Sequence, residues 1–334
     1  MRILKALPPL VLLAQPRLHG VPFPMMMVSE SVSEPSERTL TFIDKLQASD
    51  FQHPEDRRAS EALRLLAPIE FVVRKAFSSF VEDAVFMENI ASGVLVGPSQ
   101  LPELHASLLE SCRMLGLETA PELYIRQSPY PNAYTLAVQG RRPFIVCTTA
   151  LLDLLDPLEI QAVLAHELGH LKCEHSLAIA MANLVLSPLA SVSPVFSAAL
   201  QTNLLRWQRA AELSCDRAAL IVLQDLRVVQ GVTMKLSGGS RAYANKMDVD
   251  AFVQQAAQYD EVAEGSRLGR LVRDSQQREA THPLPIYRAR ELQRFAGSDE
   301  YRALLQRGKP VKVPAVVAPV RGGARRTLDG AAVV

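Results

Sequence analysis

The tightest constraint on this chain of 334 residues is the pentapeptide His166-Glu167-Leu168-Gly169-His170, together with the residues that lead into it. Upstream stand Asp156-Pro157-Leu158-Glu159: a capping residue, a proline at the first helical position and a carboxylate that can reach back to the cap. This order predicts a helix from Pro157. On such a helix His166 and His170 share one face, about 6 Å apart along the axis. Two neutral imidazoles so placed can touch one ion, and Zn²⁺ suits their nitrogens at about 2.1 Å. Glu167 then falls beside the ion's water rather than on the ion, where it can take a proton.

An ion that does chemistry needs a third protein ligand and an open fourth position. Glu174 and His175 follow on what reads as the same helix, but Glu174 is about 12 Å of axis from His166, too far for convergence. Glu212 is the better candidate. Leu204 to Arg217 reads as a helix with Glu212 and Asp216 on one face, and a carboxylate at Asp216 can orient a ligand histidine through its second ring nitrogen. The competing reading makes Arg209, Glu212 and Asp216 a solvated charge face, as helix charge pairs commonly are. The histidine pair upstream favours the ligand.

Around these motifs the pattern is mostly helical. Ser36 to Met87 reads as mainly helix with an acidic-basic connector from His53 to Arg58, and Gln100 to Leu115 as a helix stopped by Gly116. Glu122 to Arg126, Ala133 to Val138 and Phe144 to Thr148 are short β-prone runs, parted by Pro129, Pro131 and a turn at Gly140. From Pro157 to about Tyr301 the chain reads as helix, apart from Ser237 to Ser240 and the segment around His282. The expected fold class is mainly α with a small antiparallel β-sheet. Its divisions are a leader at 1–28, a helical region at 29–100, the metal-binding domain at 101–305 and a disordered tail at 306–334, where Pro, Val, Ala, Gly and Arg follow no period. The leader carries Arg2, Lys5, Arg17 and His19 with no carboxylate before Glu30, which fits an organelle transit segment. A secretory signal competes, because Ala6 to Ala14 is a short apolar core. A formal net charge of +1 gives no reason to expect a nucleic-acid partner. The four cysteines are scattered without CxxC spacing and read as small buried residues, not as a disulfide framework.

The pairing of His166 to His170 with Glu212-Leu213-Ser214-Cys215-Asp216 resembles the HtpX-like and CAAX-prenyl-protease-like zinc endopeptidases. In these a His-Glu-x-x-His helix is followed by one bearing Glu-x-x-Ala-Asp; here Cys215 stands for the alanine. The resemblance runs roughly from Leu101 to Leu305 and is strongest from Arg126 to Leu223. Arg126 to Pro129, Pro131 to Ala137 and Leu204 to Trp207 look most similar to plant and algal plastid members, including the type associated with plastoglobule lipid particles. The resemblance implies a zincin-like domain with an active-site helix and an edge strand for substrate. It implies one Zn²⁺ held by His166, His170 and Glu212, Glu167 as the base, and hydrolysis of peptide bonds in protein substrates. It also implies that Asn132-Ala133-Tyr134 is the edge against which an extended peptide pairs. His282 and Arg288 match the late His-Pro and Arg that steady the oxyanion. The place implied is a chloroplast or other plastid, at a plastoglobule or thylakoid surface.

From Ser176 to Leu205 there is no charged residue. A single crossing would put His170 and Glu212 on opposite sides of a bilayer about 30 Å thick, and two crossings need about 40 residues. A shallow hairpin bent at Pro188 or Pro194, an interfacial helix or a buried core helix remain. Of these, association with a lipid or membrane surface is the preferred expectation. Two other functional classes compete: a zinc-stabilised non-catalytic scaffold on a lipid surface, against which an intact Glu167 speaks, and a hydrolase of small non-peptide substrates, against which the edge strand speaks.

Overall fold

In a computed structural model of the chain, which describes residues 37–64, 87–137, 142–176, 179, 193–279 and 282–314, the first element is a strand rather than a helix. Strand β1 (Arg38–Phe42) pairs antiparallel with β6 (Lys309–Val313), Arg38 lying opposite Val313 and Phe42 opposite Lys309. This corrects both the helical expectation for the start of the 29–100 region and the disordered one for the start of the tail. Neither strand shows a period long enough to be read alone. Each is made by its partner and by burial of Leu40 and Val313 against the core. Gln224 completes the arrangement: its Oε1 accepts the Thr41 amide at 2.9 Å and its Nε2 donates to the Thr41 carbonyl at 2.7 Å.

The run from His53 to Arg58 belongs mostly to helix α1 (Pro54–Arg64), not to a connector. Proline opens this helix, and Glu55 and Asp56 occupy its first turn, where carboxylates favour the positive end of the dipole. Strand β2 (Gly93–Leu95) and helix α2 (Pro102–Met114) follow, with Gly116 past the helix end at φ 62°. The β-prone runs form β3 (Glu122–Arg126), β4 (Ala133–Leu136) and β5 (Phe144–Thr148). The sheet order is β2-β3-β5-β4, and the sheet is mixed: β3 and β5 run parallel, and the other neighbours antiparallel. The chain between β3 and β5 goes out along the edge as β4 before returning, so β5 enters beside β3 in the same direction. The turn expected at Gly140 lies outside the described residues.

After a short α3 (Thr149–Leu154) comes α4 (Pro157–Lys172), which carries the His-Glu-x-x-His motif. Its start has the predicted capping box, Asp156 reciprocated by Glu159, with Pro157 in the first turn. Ten of the eleven residues from Glu159 to Gly169 are buried, all but His166, so this helix is the centre of the core rather than an amphipathic surface helix. Helix α5 (Pro194–Leu223) packs along it. A Cβ on Gly169 would stand 3.0 Å from the Ala218 Cβ and 3.1 Å from the Cys215 Cα, so the absence of a side chain lets the two backbones close up. Helix α6 (Leu226–Gly238) is tied to the start of α4 by Lys235, whose Nζ reaches Glu159 at 2.7 Å and Asp156 at 2.9 Å. Helices α7 (Val249–Gly265), α8 (Arg267–Glu279), α9 (Pro285–Ala296) and α10 (Asp299–Gln306) complete a mainly α fold. All four cysteines are free and buried. Of the uncharged 176–205 stretch, 177–178 and 180–192 lie outside the described residues, as does the leader at 1–28. Among the described residues no helix is long and apolar enough to cross a membrane.

Candidate active site

The capped start of α4 and its close contact with α5 bring three predicted ligands together. The Nε2 atoms of His166 and His170 lie 3.5 Å from Oε2 and Oε1 of Glu212 respectively. Three donors at about 2.1 Å around a tetrahedral ion stand about 3.4 Å apart, so this donor set fits one divalent cation. The electrostatics fit as well. Although burial opposes its charge, His166 is held up at about 9 by Asp216 and Glu212. Burial would raise Glu212, yet the neighbouring imidazoles of His166, His170 and His282 hold its carboxyl well below the usual range. The pocket is built to hold positive charge.

Asp216, one turn beyond Glu212 on α5, stands 3.1 Å from His166 Nδ1. Arg288, on α9, grips Asp216 with Nε at 2.8 Å and Nη2 at 2.6 Å. Burial raises the Asp216 carboxyl, and the Arg288 guanidinium together with His166 more than offsets this and lowers it. An ionised Asp216 only accepts, so a hydrogen sits on His166 Nδ1, which leaves Nε2 as the nitrogen that would bind an ion. The remaining Arg288 nitrogen, Nη1, is 3.8 Å from Glu212. His282 is at the rim, 70% exposed, with Nδ1 3.2 Å from Glu212 Oε1.

Glu167 is buried, and its Oε2 accepts the Thr135 hydroxyl at 2.7 Å. Thr135 lies in β4, the edge of the sheet, and Asn132 prolongs that edge: its carbonyl accepts the Thr148 amide at 3.0 Å. Ala133 and Tyr134 fall in β4 itself. Alternation turns the Tyr134 side chain away from Thr135, toward Tyr124, Phe144 and Val146, so this residue offers the cleft its backbone. The cleft has a volume of about 430 Å³ and is lined by Asn132 to Thr135, by the histidines and carboxylates, and by Val163, Val229 and Val232.

Two participants escaped the sequence reading. Thr135 carried no signal beyond an ordinary strand position. His175, on helical spacing, continues the helix of His170 and gives no sign of reaching the site. In fact α4 ends at Lys172 and Glu174 adopts the left-handed region at φ 58°, which swings His175 back until its Nδ1 lies 3.0 Å from His170 Nδ1. His175 is 1% exposed and its Nε2 meets Asp56 of α1 at 3.1 Å. Burial lowers its pKa, against the Asp56 carboxylate, which raises it.

A model of peptidase family M48 matches residues 98–296. The plastoglobule-localized metallopeptidase 48, chloroplastic, of Arabidopsis thaliana is 47% identical over 266 residues, 78% of this chain and 76% of that protein. Protease HtpX homolog 2 of Methanosarcina mazei is 36% identical over 78 residues, 23% of this chain and 26% of its own. The protease HtpX homolog of Helicobacter acinonychis is 34% identical over 106 residues, 28% of this chain and 34% of its own. No solved structure matches the chain. The family implies a metal cofactor, which the donor set above can hold. A match over more than half of its length, with a metallopeptidase nearly half identical over most of it, means that this chain belongs to peptidase family M48 and is a metalloprotease.

Proposed function

We propose that this metalloprotease is an endopeptidase holding one Zn²⁺ per chain on His166, His170 and Glu212, and that it cuts extended segments of protein substrates. The observation that carries the reading is the meeting of these donors at 3.5 Å separations in a cleft whose lining includes an edge strand. An ion held by His166, His170 and Glu212 would supply polarisation of the scissile carbonyl and acidification of the attacking water. Glu167 takes the water's proton and returns it to the leaving amine, held by the Thr135 hydroxyl meanwhile. The edge of β4, unpaired among the described residues and with Asn132 before it, receives the substrate as an added strand through main-chain hydrogen bonds. His282 at the rim is the better placed of the two late residues to steady the oxyanion. Arg288 has Nε and Nη2 committed to Asp216 and acts chiefly by holding that carboxylate against His166.

The protein works in a plastid, at a plastoglobule or similar lipid surface. The name of the Arabidopsis relative supports this address, and the uncharged 176–205 stretch suits peripheral contact with lipid. The test is cleavage of an unfolded protein by zinc-loaded enzyme lacking residues 1–28, beside Glu167→Gln. Turnover in the parent only, with equal zinc in both, supports the base and the peptidase reading. Equal turnover in both would remove Glu167 from the mechanism, and a parent without zinc would sink the ligand set.

A further inference from the structure

Behind His170 runs a chain of buried hydrogen bonds that ends on a helix outside the family-matched region. Asp56, on α1, is fully buried. Its Oδ1 accepts the Trp207 indole N–H at 2.9 Å. Its Oδ2 accepts the Ser214 hydroxyl at 2.6 Å and faces His175 Nε2 at 3.1 Å. Ser214 Oγ in turn accepts the His53 amide at 2.9 Å. We propose that Asp56 and His175 are positioning residues that set the tautomer of His170 and so aim its Nε2 lone pair at the metal; the inference rests on His170 being a ligand.

The argument is one of counting protons. An ionised carboxylate offers only acceptors, so the His175 nitrogen facing Asp56 must carry the hydrogen. A His170 that gives its Nε2 lone pair to an ion carries its one hydrogen on Nδ1, and His175 Nδ1 is the acceptor that this hydrogen meets. That atom lies 3.0 Å from His170 Nδ1, and two bare nitrogens do not attract, so His170 donates from Nδ1. The proton placed there leaves Nε2 of His170 bare, the same atom that stands 3.5 Å from Glu212. With His175 buried to 1% exposure, solvent does not take over either bond. The two ligand histidines are thus oriented by different parts of the chain: His166 in one step by Asp216 on α5, and His170 in two steps by Asp56 on α1. Helix α1 precedes the matched residues 98–296, and through Asp56 it becomes part of the metal site.

The test measures zinc affinity of the full chain by competition with a chromophoric chelator, in the parent and in His175→Phe, His175→Gln, Asp56→Asn and His170→Ala, with the unfolding midpoint of each metal-free protein beside it. Losing a partner behind a ligand histidine costs about 10- to 100-fold in metal affinity, which is expected for His175→Phe and Asp56→Asn. His175→Gln keeps one donor and one acceptor and should recover most of that loss. Nitrogen-15 spectra of the zinc-loaded parent should show His170 protonated at Nδ1. Parent-like affinity in His175→Phe overturns the proposal, as does equal loss in the Phe and Gln variants that tracks the metal-free midpoint. Should His175→Phe not fold, the nitrogen-15 spectrum of the parent decides, since a His170 unprotonated at Nδ1 overturns it. Parent-like affinity in His170→Ala would instead overturn the ligand set beneath it.

Discussion

Thr135 shows how one hydroxyl can tune a site without touching the metal. Its 2.7 Å bond to Glu167 Oε2 fixes one carboxylate oxygen, leaving the other for the proton that the proposed mechanism moves. Replacing it with valine keeps the shape and removes a hydrogen bond to a charged group, of the order of 1.5 kcal/mol. Thr135→Val should therefore turn over about tenfold more slowly, with zinc content unchanged. Steady-state kinetics beside metal analysis checks this, and an unchanged kcat would show that the bond does not matter to the reaction. At this scale the sequence was readable where the chemistry is local: His166, Glu167 and His170 follow from a spacing of four on one helix. It was opaque where the partner is remote, as for Thr135 and for Asp56, which fell within a supposed connector.

Between elements, the distance from α4 to α5 decides whether Glu212 reaches the two histidines. Gly169 sets that distance, since a Cβ there would press on Ala218 and Cys215 at 3.0 to 3.3 Å. Cys215 is thus held to a small residue by the glycine across from it. Gly169→Ala should cost about 1–3 kcal/mol in denaturant unfolding, the usual range for overpacking, and weaken zinc binding as α5 is pushed away. Parent-like values for both would show that the helices yield elsewhere. The ion pair of Lys235 with Glu159 does the complementary task at the other end of α4: it fastens α6, which supplies Val229 and Val232 to the cleft.

Over the whole molecule, contacts between distant ends of the chain hold the frame. Arg307, just after α10, meets both carboxylate oxygens of Asp50 at 3.0 Å. The Arg307 hydrogen bonds hold Asp50 below its ordinary value, against a smaller opposing effect of burial. A carboxyl lowered in the folded state adds stability that is present above its unfolded pKa of about 4 and is lost as the pH falls through the folded value. Asp50→Asn should accordingly be less stable than the parent near neutral pH, by at most about 1 kcal/mol since Arg307 is half exposed. The gap should close when both are unfolded at about pH 2. A gap that persists there would assign the effect to the Asp50 cap on the Gln47 amide instead.

Read alone, the sequence determined the elements whose causes lie within a few residues: the capped helix from Pro157, the strands at Glu122–Arg126 and Phe144–Thr148, and the stop at Gly116. It also determined the histidine pair, because helical spacing is a local property. Only the tertiary structure decided that Arg38–Phe42 and Lys309–Val313 are strands, that β3 and β5 run parallel, and that His175 folds back onto His170. Each of these depends on a partner far along the chain or on a single left-handed residue, Glu174. Burial and hydrogen-bond satisfaction act through space, and no window of sequence contains both sides of such a contact.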